Sequence, residues 1–99
     1  MARLLDDEEI ARQLSALPEW SGDAAALRRS YALPDFATAI RGVEEIAVLA
    51  EAMDHHPDID IRWRTLHLTL STHSAGGTTQ LDVELAHQIH EVLTRLGAA

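Results

Sequence analysis

Apolar residues recur every three to four positions in three separate segments, which is the spacing of one buried face of a helix. The first segment covers residues 5–17, the second covers residues 35–54, and the third begins at Thr79. In the second segment, the positions that step by four and three predict a buried stripe of Phe36, Ile40, Val43, Ala47 and Ala50, widened by Ile46, Leu49 and Met53. A stripe this wide predicts a helix that contacts both a sheet and a further element.

Between these segments the period changes to two, which is typical of half-buried strands. A turn-forming Ser-Gly-Asp cluster at residues 21–23 separates a short strand near Trp20 from a longer strand over residues 25–32. After Pro57, two further strands lie on either side of a bend near Thr65. The predicted order is therefore α-β-β-α-β-β-α. Because hairpins pair antiparallel, this order predicts an α+β fold, a four-stranded antiparallel sheet with helices packed on one face.

Local signals mark where the helices begin and end. Asp6 stands three residues before Glu9, and Thr79 stands three residues before Asp82, as in the capping box of a helix start. Pro57 cannot join a helical hydrogen-bond ladder and disfavours the helical conformation in the residue before it, so the second helix must end before this proline.

Composition restricts the class of protein. The 99 residues form a single predicted domain without cysteine, which excludes disulfides, thiolate nucleophiles and cysteine–zinc sites. The formal charge of -8 argues against direct binding to nucleic acid or to an anionic membrane surface. The N-terminus is acidic and no apolar stretch is long enough to span a bilayer, so neither a signal peptide nor a membrane span is expected. These features predict a cytoplasmic protein.

Titratable residues are concentrated between Glu51 and His73, a segment that contains four of the six histidines. Glu51 and His55 stand four positions apart, so a shared helical face would let the carboxylate hold the imidazole in one tautomer and in its charged form. The helix dipole favours the same charged form. Pro57 directs His56 elsewhere, and His73 lies at a predicted strand end. Imidazole exchanges protons near neutral pH, so these histidines predict a proton-transfer site.

Plainer interpretations of these residues stay open. A histidine at a helix end can be a solvent-exposed cap, and Glu51 with His55 can be a surface pair worth about 0.3–0.5 kcal/mol. Asp82 can serve only as a helix cap. His87 and His90, three apart on the last predicted helix, are expected on a solvated face.

A zinc site is the sharper alternative. His55, His56 and His73 supply three nitrogens, which is a sufficient protein ligand set for catalytic zinc. However, adjacent histidines rarely both reach one ion, and the sequence has no HExxH pair. We therefore expect no metal.

A longer pattern in this region resembles that of a known family. It reads E-x-x-x-H-H-P, an aromatic residue six positions after the proline, and T-H-x-x-x-G-x-T-x-x-D, at Glu51, His55, His56, Pro57, Trp63, Thr72, His73, Gly77, Thr79 and Asp82. This pattern resembles the pterin-4a-carbinolamine dehydratases, whose fold has the predicted element order, and Trp20 also matches. Two positions depart from the family: Trp63 replaces a tyrosine common there, and Thr78 replaces an apolar residue.

The resemblance implies an enzyme. Its reaction would be the dehydration of 4a-hydroxytetrahydropterin to the quinonoid dihydropterin, a hydro-lyase step that recycles the pterin cofactor of aromatic amino acid hydroxylases. The pterin would be the substrate, and no metal or other cofactor is implied. The catalytic residues implied are His55, His56, His73 and Glu51. The substrate-binding residues implied are His56, Asp82, Trp63 and Thr72.

Roles for these residues follow as hypotheses from the resemblance. His55, kept charged by Glu51, would be the general acid, and His73 would take the other proton-transfer role. His56 would hold or orient the pterin ring.

Two other functions remain compatible with the resemblance. Some members of the family serve as dimerisation cofactors of a transcription factor, so a non-catalytic binding module is one alternative. The other is a pterin-binding protein of a different pathway, such as molybdenum cofactor metabolism. The resemblance also implies a homodimer or homotetramer, and the wide apolar stripe of residues 35–54 agrees with such an assembly.

Overall fold

The computed structural model describes residues 2–99, which form three helices and a four-stranded sheet. The elements are α1 (Asp7–Leu14), β1 (Ser21–Gly22), β2 (Leu27–Ala32), α2 (Phe36–Met53), β3 (Asp58–Arg62), β4 (Thr65–Leu70) and α3 (Gln80–Arg95). All neighbouring strands pair antiparallel, in the spatial order β1-β2-β4-β3. The predicted element order and the α+β class are confirmed. None of the helices in residues 2–99 combines the length and the apolar composition needed to cross a membrane.

Alternation along the two central strands gives the sheet one apolar face and one polar face. The apolar face contributes a buried set to the core, namely Leu27, Tyr31, Leu66, Leu68 and Leu70. On the polar face Ser30 pairs in register with His67, and its hydroxyl lies 2.6 Å from the imidazole Nδ1. His67 therefore lies on the exposed face opposite the leucines.

The buried face of α2 differs from the predicted stripe. Its buried residues are Thr38, Ala39, Gly42, Ile46 and Ala50. Phe36 and Ile40 were expected on the buried stripe but are exposed. A Cβ on Gly42 would lie 2.8 Å from Cδ2 of Leu93, so the glycine permits close contact between α2 and α3. The stripe prediction is confirmed for the buried Ile46 and Ala50 and for three residues that pack against the core, namely Val43, Leu49 and Met53. It is wrong for Phe36, Ile40 and Ala47, because two adjacent apolar faces of this helix share the helical period and periodicity cannot tell which one the core covers.

The first helix is shorter than the predicted residues 5–17. The capping box between Asp6 and Glu9 is present, which confirms the predicted start. The helix ends at Leu14, and the amides of residues 15–17 donate to carbonyls three positions back, which is a tighter winding than an α-helix.

The turn of the first hairpin begins at Asp23, two residues later than the start of the predicted turn cluster. Ser21–Gly22 forms β1, and the Oδ1 atom of Asp23 accepts hydrogen bonds from the amides of Ala25 and Ala26 at 2.8 and 3.3 Å. The carbonyl of Asp23 accepts a 2.7 Å hydrogen bond from the hydroxyl of Thr78. Thr78 is completely buried, so this bond satisfies a hydroxyl that water does not reach.

A polar network lies where α3 crosses β2. The indole nitrogen of Trp20 donates to the hydroxyl of Tyr31 at 2.9 Å, and that hydroxyl lies 2.9 Å from Nδ1 of His90. The guanidinium of Arg29 is 3.3 Å from the same Nδ1. With the tyrosine proton and an arginine N–H both directed at Nδ1, that nitrogen must be the acceptor, so His90 is neutral here. His90 was predicted on a solvated face, and this prediction was wrong.

We expect the protein to lose stability as the pH falls below about 6.5, more steeply than a His90→Gln variant does. Burial, and then the charges of Arg29 and His87, lower the pKa of His90 from its usual 6.5. Between the folded and unfolded pKa values the unfolded chain binds more protons, so the free energy of unfolding decreases as the pH falls through this window. Glutamine keeps an acceptor but does not titrate. Urea unfolding of both proteins between about pH 5 and 8 measures the difference, and identical pH slopes would contradict it.

Candidate active site

The C-terminus of α2 turns His55 away from the helix axis. Asp54 adopts the left-handed conformation, with φ 49° and ψ 45°, and the amide of His55 donates to the carbonyl of Ala50 at 3.0 Å. These are the features of a Schellman turn. Because His55 lies beyond the helix, the four-residue spacing from Glu51 no longer places the two side chains together. The predicted Glu51–His55 pair is therefore wrong.

His55 pairs instead with Asp82 in the first turn of α3. Its Nε2 atom lies 2.6 Å from Oδ1 of the carboxylate. Only 8% of His55 and none of Asp82 is exposed, so water screens this pair little. The two residues are 27 positions apart and are brought together by the β3–β4 hairpin between them.

The second oxygen of Asp82 caps α3. Oδ2 accepts the amide of Thr79 at 2.9 Å and the hydroxyl of Thr72 at 2.8 Å. The predicted capping box of Thr79 and Asp82 is present. Asp82 thus acts both as a helix cap and as the partner of His55, using a different oxygen for each.

Thr72 and Asp82 belong to the buried hydrogen-bond network that holds His55. Thr72 is buried. Its hydroxyl lies 2.7 Å from the hydroxyl of Thr79 and also donates a hydrogen bond to Oδ2 of Asp82. The hydroxyl of Thr72 and both carboxylate oxygens of Asp82 therefore already have hydrogen-bond partners inside the protein. The substrate-binding roles that the family resemblance implies for Thr72 and Asp82 stay predictions, and what the structure shows for both residues is a part in the hydrogen-bond network that holds His55.

Glu51 pairs with the second histidine of the His-His-Pro sequence. Nε2 of His56 lies 2.5 Å from Oε2 of Glu51. Their side chains are 56% and 76% exposed, so the pair adds at most about 1 kcal/mol to stability. The site therefore contains two carboxylate–histidine pairs, one buried and one exposed.

His73 lies in the tight turn between β4 and α3, not in a strand. The turn is closed by a 2.9 Å hydrogen bond from the amide of Thr72 to the carbonyl of Gly77, and a Cβ on Gly77 would lie 2.3 Å from the carbonyl oxygen of Ala24. The side chain of His73 is exposed and makes no hydrogen bond to the part of the chain that the structure describes. It directly follows Thr72, so the turn places it next to the network that holds His55.

Trp63 lies at the other end of the β3–β4 hairpin. It has a φ of 53°, is 73% exposed, and has the guanidinium of Arg64 5.0 Å from its ring. The five residues of β3 lie between Pro57 and Trp63, and six steps of about 3.3 Å separate the two by roughly 20 Å. Within one chain, Trp63 is not brought to the histidines.

The histidines do not form an evident metal centre. Among residues 2–99, no three His, Asp or Glu side chains converge in a way that would hold a metal ion. Two cavities, of about 600 and 380 Å³, lie between the N-terminal segment and α3 and on the polar face of the sheet, and neither is lined by His55, His56 or His73. The arrangement provides an imidazole that is fixed by a buried carboxylate, an exposed imidazole at the next position in the chain, and a second exposed imidazole at His73, next to Thr72 of the same network. Such an arrangement suits proton transfer.

Comparison of the sequence with known families gives a match over most of the chain. The family described as "Pterin 4 alpha carbinolamine dehydratase" matches residues 3–92. A protein of Roseiflexus castenholzii that is named as a pterin-4-alpha-carbinolamine dehydratase is 50% identical over 93 residues, which is 94% of this chain and 100% of the relative. A protein of Nocardia farcinica with the same name is 51% identical over 89 residues, covering 90% and 94% of the two chains.

A solved structure has the same fold. It is described as a transcriptional coactivator/pterin dehydratase from Brucella melitensis and superposes with a TM-score of 0.88 at 32% identity. The match covers 92% of this chain and 99% of the other.

Proposed function

The chain belongs to the pterin-4a-carbinolamine dehydratase family, a family of hydro-lyases, and from this premise we propose that it dehydrates 4a-hydroxytetrahydropterin to the quinonoid dihydropterin. In this step the bond between C4a and its hydroxyl oxygen breaks, N5 loses its proton, and a C4a–N5 double bond forms. Water leaves, and no electrons are exchanged with a cofactor. The observation that carries the proposal is the buried His55–Asp82 pair at 2.6 Å, next to the turn that holds His73.

The reaction needs one group that gives a proton and one that takes a proton. The leaving hydroxide must be protonated, and the N5 proton must be removed. Asp82 compensates a positive charge on His55, so His55 is the general acid in this proposal. His73, which is exposed in the adjoining turn, receives the proton from N5. Imidazole suits both roles because it titrates near neutral pH.

His56 and Glu51 have a binding role in this proposal. Their exposed pair lies directly beside His55 in the chain, and the carboxylate accepts a hydrogen bond from the imidazole Nε2. The pair would orient the pterin ring by hydrogen bonding while His55 and His73 move protons. A 4a-hydroxypterin is the pterin product of an aromatic amino acid hydroxylase, so we place the reaction after such an enzyme, as a step that recycles its cofactor.

The test is a stopped-flow assay with synthetic 4a-hydroxytetrahydropterin. Because this dehydration also proceeds without an enzyme, the rate is compared with that of the substrate alone in the same buffer. We expect a rate above this background that is proportional to protein concentration and saturates with substrate. A rate equal to the background at every protein concentration would reject the proposal.

A binding module is the second candidate function, and one observation favours it. The related Brucella structure is described as a transcriptional coactivator as well as a pterin dehydratase. In this chain Phe36, Ile40 and Val48 on α2 are exposed at 52%, 39% and 69%, which gives the helix an apolar surface outside the core. Serine at Phe36 and Ile40 would weaken a helix-mediated partner and leave dehydration unchanged.

We further propose that the chain assembles into a homodimer or homotetramer. The strand β3 stands at one edge of the sheet, and in the described residues its outer hydrogen-bonding groups have no neighbouring strand. The exposed apolar residues of α2 offer a second contact. Light scattering after size-exclusion chromatography measures the mass, and the mass of a single 10.9 kDa chain at micromolar concentration would contradict assembly.

A further inference from the structure

We propose that Thr72 and Thr79 are positioning residues that hold Asp82 in one orientation, and that Nδ1 of His55 is therefore the nitrogen that exchanges protons with the substrate. The second part of this inference rests on the dehydratase function proposed above. The first part concerns hydrogen bonds that exist without any substrate.

The hydrogen-bond directions in this network have one consistent solution. A hydroxyl has a single proton to donate, and an ionised carboxylate only accepts. The hydroxyl of Thr72 lies 2.8 Å from Oδ2 of Asp82 and must give its proton to that oxygen. It can then only accept from the hydroxyl of Thr79, 2.7 Å away. Thr79 in turn accepts from the amide of Leu81 at 3.2 Å, so every proton is assigned.

These bonds fix the carboxylate of Asp82. Oδ2 receives two donors, the Thr72 hydroxyl and the Thr79 amide, and the three residues are between 0% and 4% exposed. Rotation of the carboxylate would break both bonds in a place that water does not reach, which is costly. Oδ1 is therefore kept facing His55.

The fixed carboxylate decides which nitrogen of His55 is free. Oδ1 has no proton, so the Nε2 atom 2.6 Å away must carry one, whether the imidazole is neutral or charged. Nδ1 has no hydrogen-bond partner in residues 2–99. Arg29 Nε is the single buried side-chain nitrogen or oxygen without a partner in that part of the chain, so Nδ1 of His55 must reach the surface. Proton exchange with a bound molecule takes place at Nδ1.

The Asp82→Asn variant provides the decisive test. If the two threonine donors hold the orientation, the amide oxygen must take the position of Oδ2, and the amide NH₂ group must face His55. Nε2 then becomes an acceptor, and neutral His55 must change to the tautomer protonated on Nδ1. We expect nitrogen-15 NMR of the imidazole rings to show this exchange of tautomers, with His73 in the same spectra as an unchanged internal reference.

The threonine hydroxyl is tested by a matched pair of variants. Thr72→Val removes the donor at nearly constant volume, and Thr72→Ser keeps it. We expect the valine variant to show a mixture of His55 tautomers and the serine variant to resemble the wild type. With 4a-hydroxytetrahydropterin, we expect Asp82→Asn to lower kcat about 100-fold or more with little change in KM, because the wrong tautomer forfeits general acid–base catalysis worth about 10²–10⁴-fold.

The outcomes separate the two proposals. If His55 keeps its proton on Nε2 in Asp82→Asn, or if the valine and serine variants have the same tautomer and the same kcat, the threonines do not position the pair and the inference is rejected. A wild-type protein that shows the expected tautomer pattern but no dehydration would reject the proposed function and leave the hydrogen-bond assignment standing.

Discussion

Replacing His55 by glutamine is expected to lower kcat for dehydration by about 10²–10⁴-fold, the usual contribution of a general acid or base. Glutamine can still donate a hydrogen bond to Asp82, so the buried carboxylate keeps a partner and the fold is retained. Its amide cannot deliver a proton to the leaving hydroxyl. Stopped-flow rates above the uncatalysed background measure the loss, and circular dichroism verifies that the variant is folded.

His67→Gln is the matched control for this experiment. His67 lies on the polar face of the sheet and bonds Ser30, so it should retain the wild-type rate. His73→Ala is the companion variant, because His73 has the second proton-transfer role. Wild-type rates in both His55→Gln and His73→Ala would show that the proposed acid–base scheme is wrong.

Replacing Asp82 by alanine is expected to lower the free energy of unfolding by at least about 3 kcal/mol, because each buried donor left without an acceptor costs about 1–3 kcal/mol. Three donors lose their partner at once: Nε2 of His55, the hydroxyl of Thr72 and the amide of Thr79. The N-terminal cap of α3 is weakened at the same time. Urea unfolding followed by circular dichroism measures this loss.

Glu51→Ala is the corresponding control for stability. It removes the other carboxylate that pairs with a histidine, but this pair is exposed and is expected to change the free energy of unfolding by no more than about 1 kcal/mol. Equal losses in the two variants would show that burial of Asp82 does not set the strength of its network.

Much of the fold is predictable from the sequence because it depends on near neighbours in the chain. The capping boxes that begin α1 and α3 each span four residues, and the alternation of β4 is visible without any partner strand. The prediction fails where two local patterns compete. In α2 both the buried Ile46 face and the exposed Phe36 face have the helical period, and only packing against α3 and the sheet separates them.

The candidate site was predictable in its residues but not in its pairings. The sequence indicates His55, His56, His73, Glu51 and Asp82 as chemistry-bearing residues. The four-residue spacing of Glu51 and His55 fits a helix and therefore predicted that the two side chains pair. The spacing gave no sign that Asp54 adopts the left-handed conformation and ends the helix before His55. The sequence indicated Asp82 as a helix cap and, through the family resemblance, as a site residue, but it did not predict that Asp82 pairs with His55.

In the histidine-rich segment from Glu51 to His73, some features are determined by the sequence alone and others only by the tertiary structure. By itself the sequence determined the element order, the helix starts and the concentration of imidazoles, since these depend on periodicity and on contacts within a few residues. The tertiary structure alone decided the strand order β1-β2-β4-β3 and the pairing of His55 with Asp82. Both depend on distances between residues far apart in the chain, which are set only when the two hairpins join through β2 and β4 and α3 packs across them.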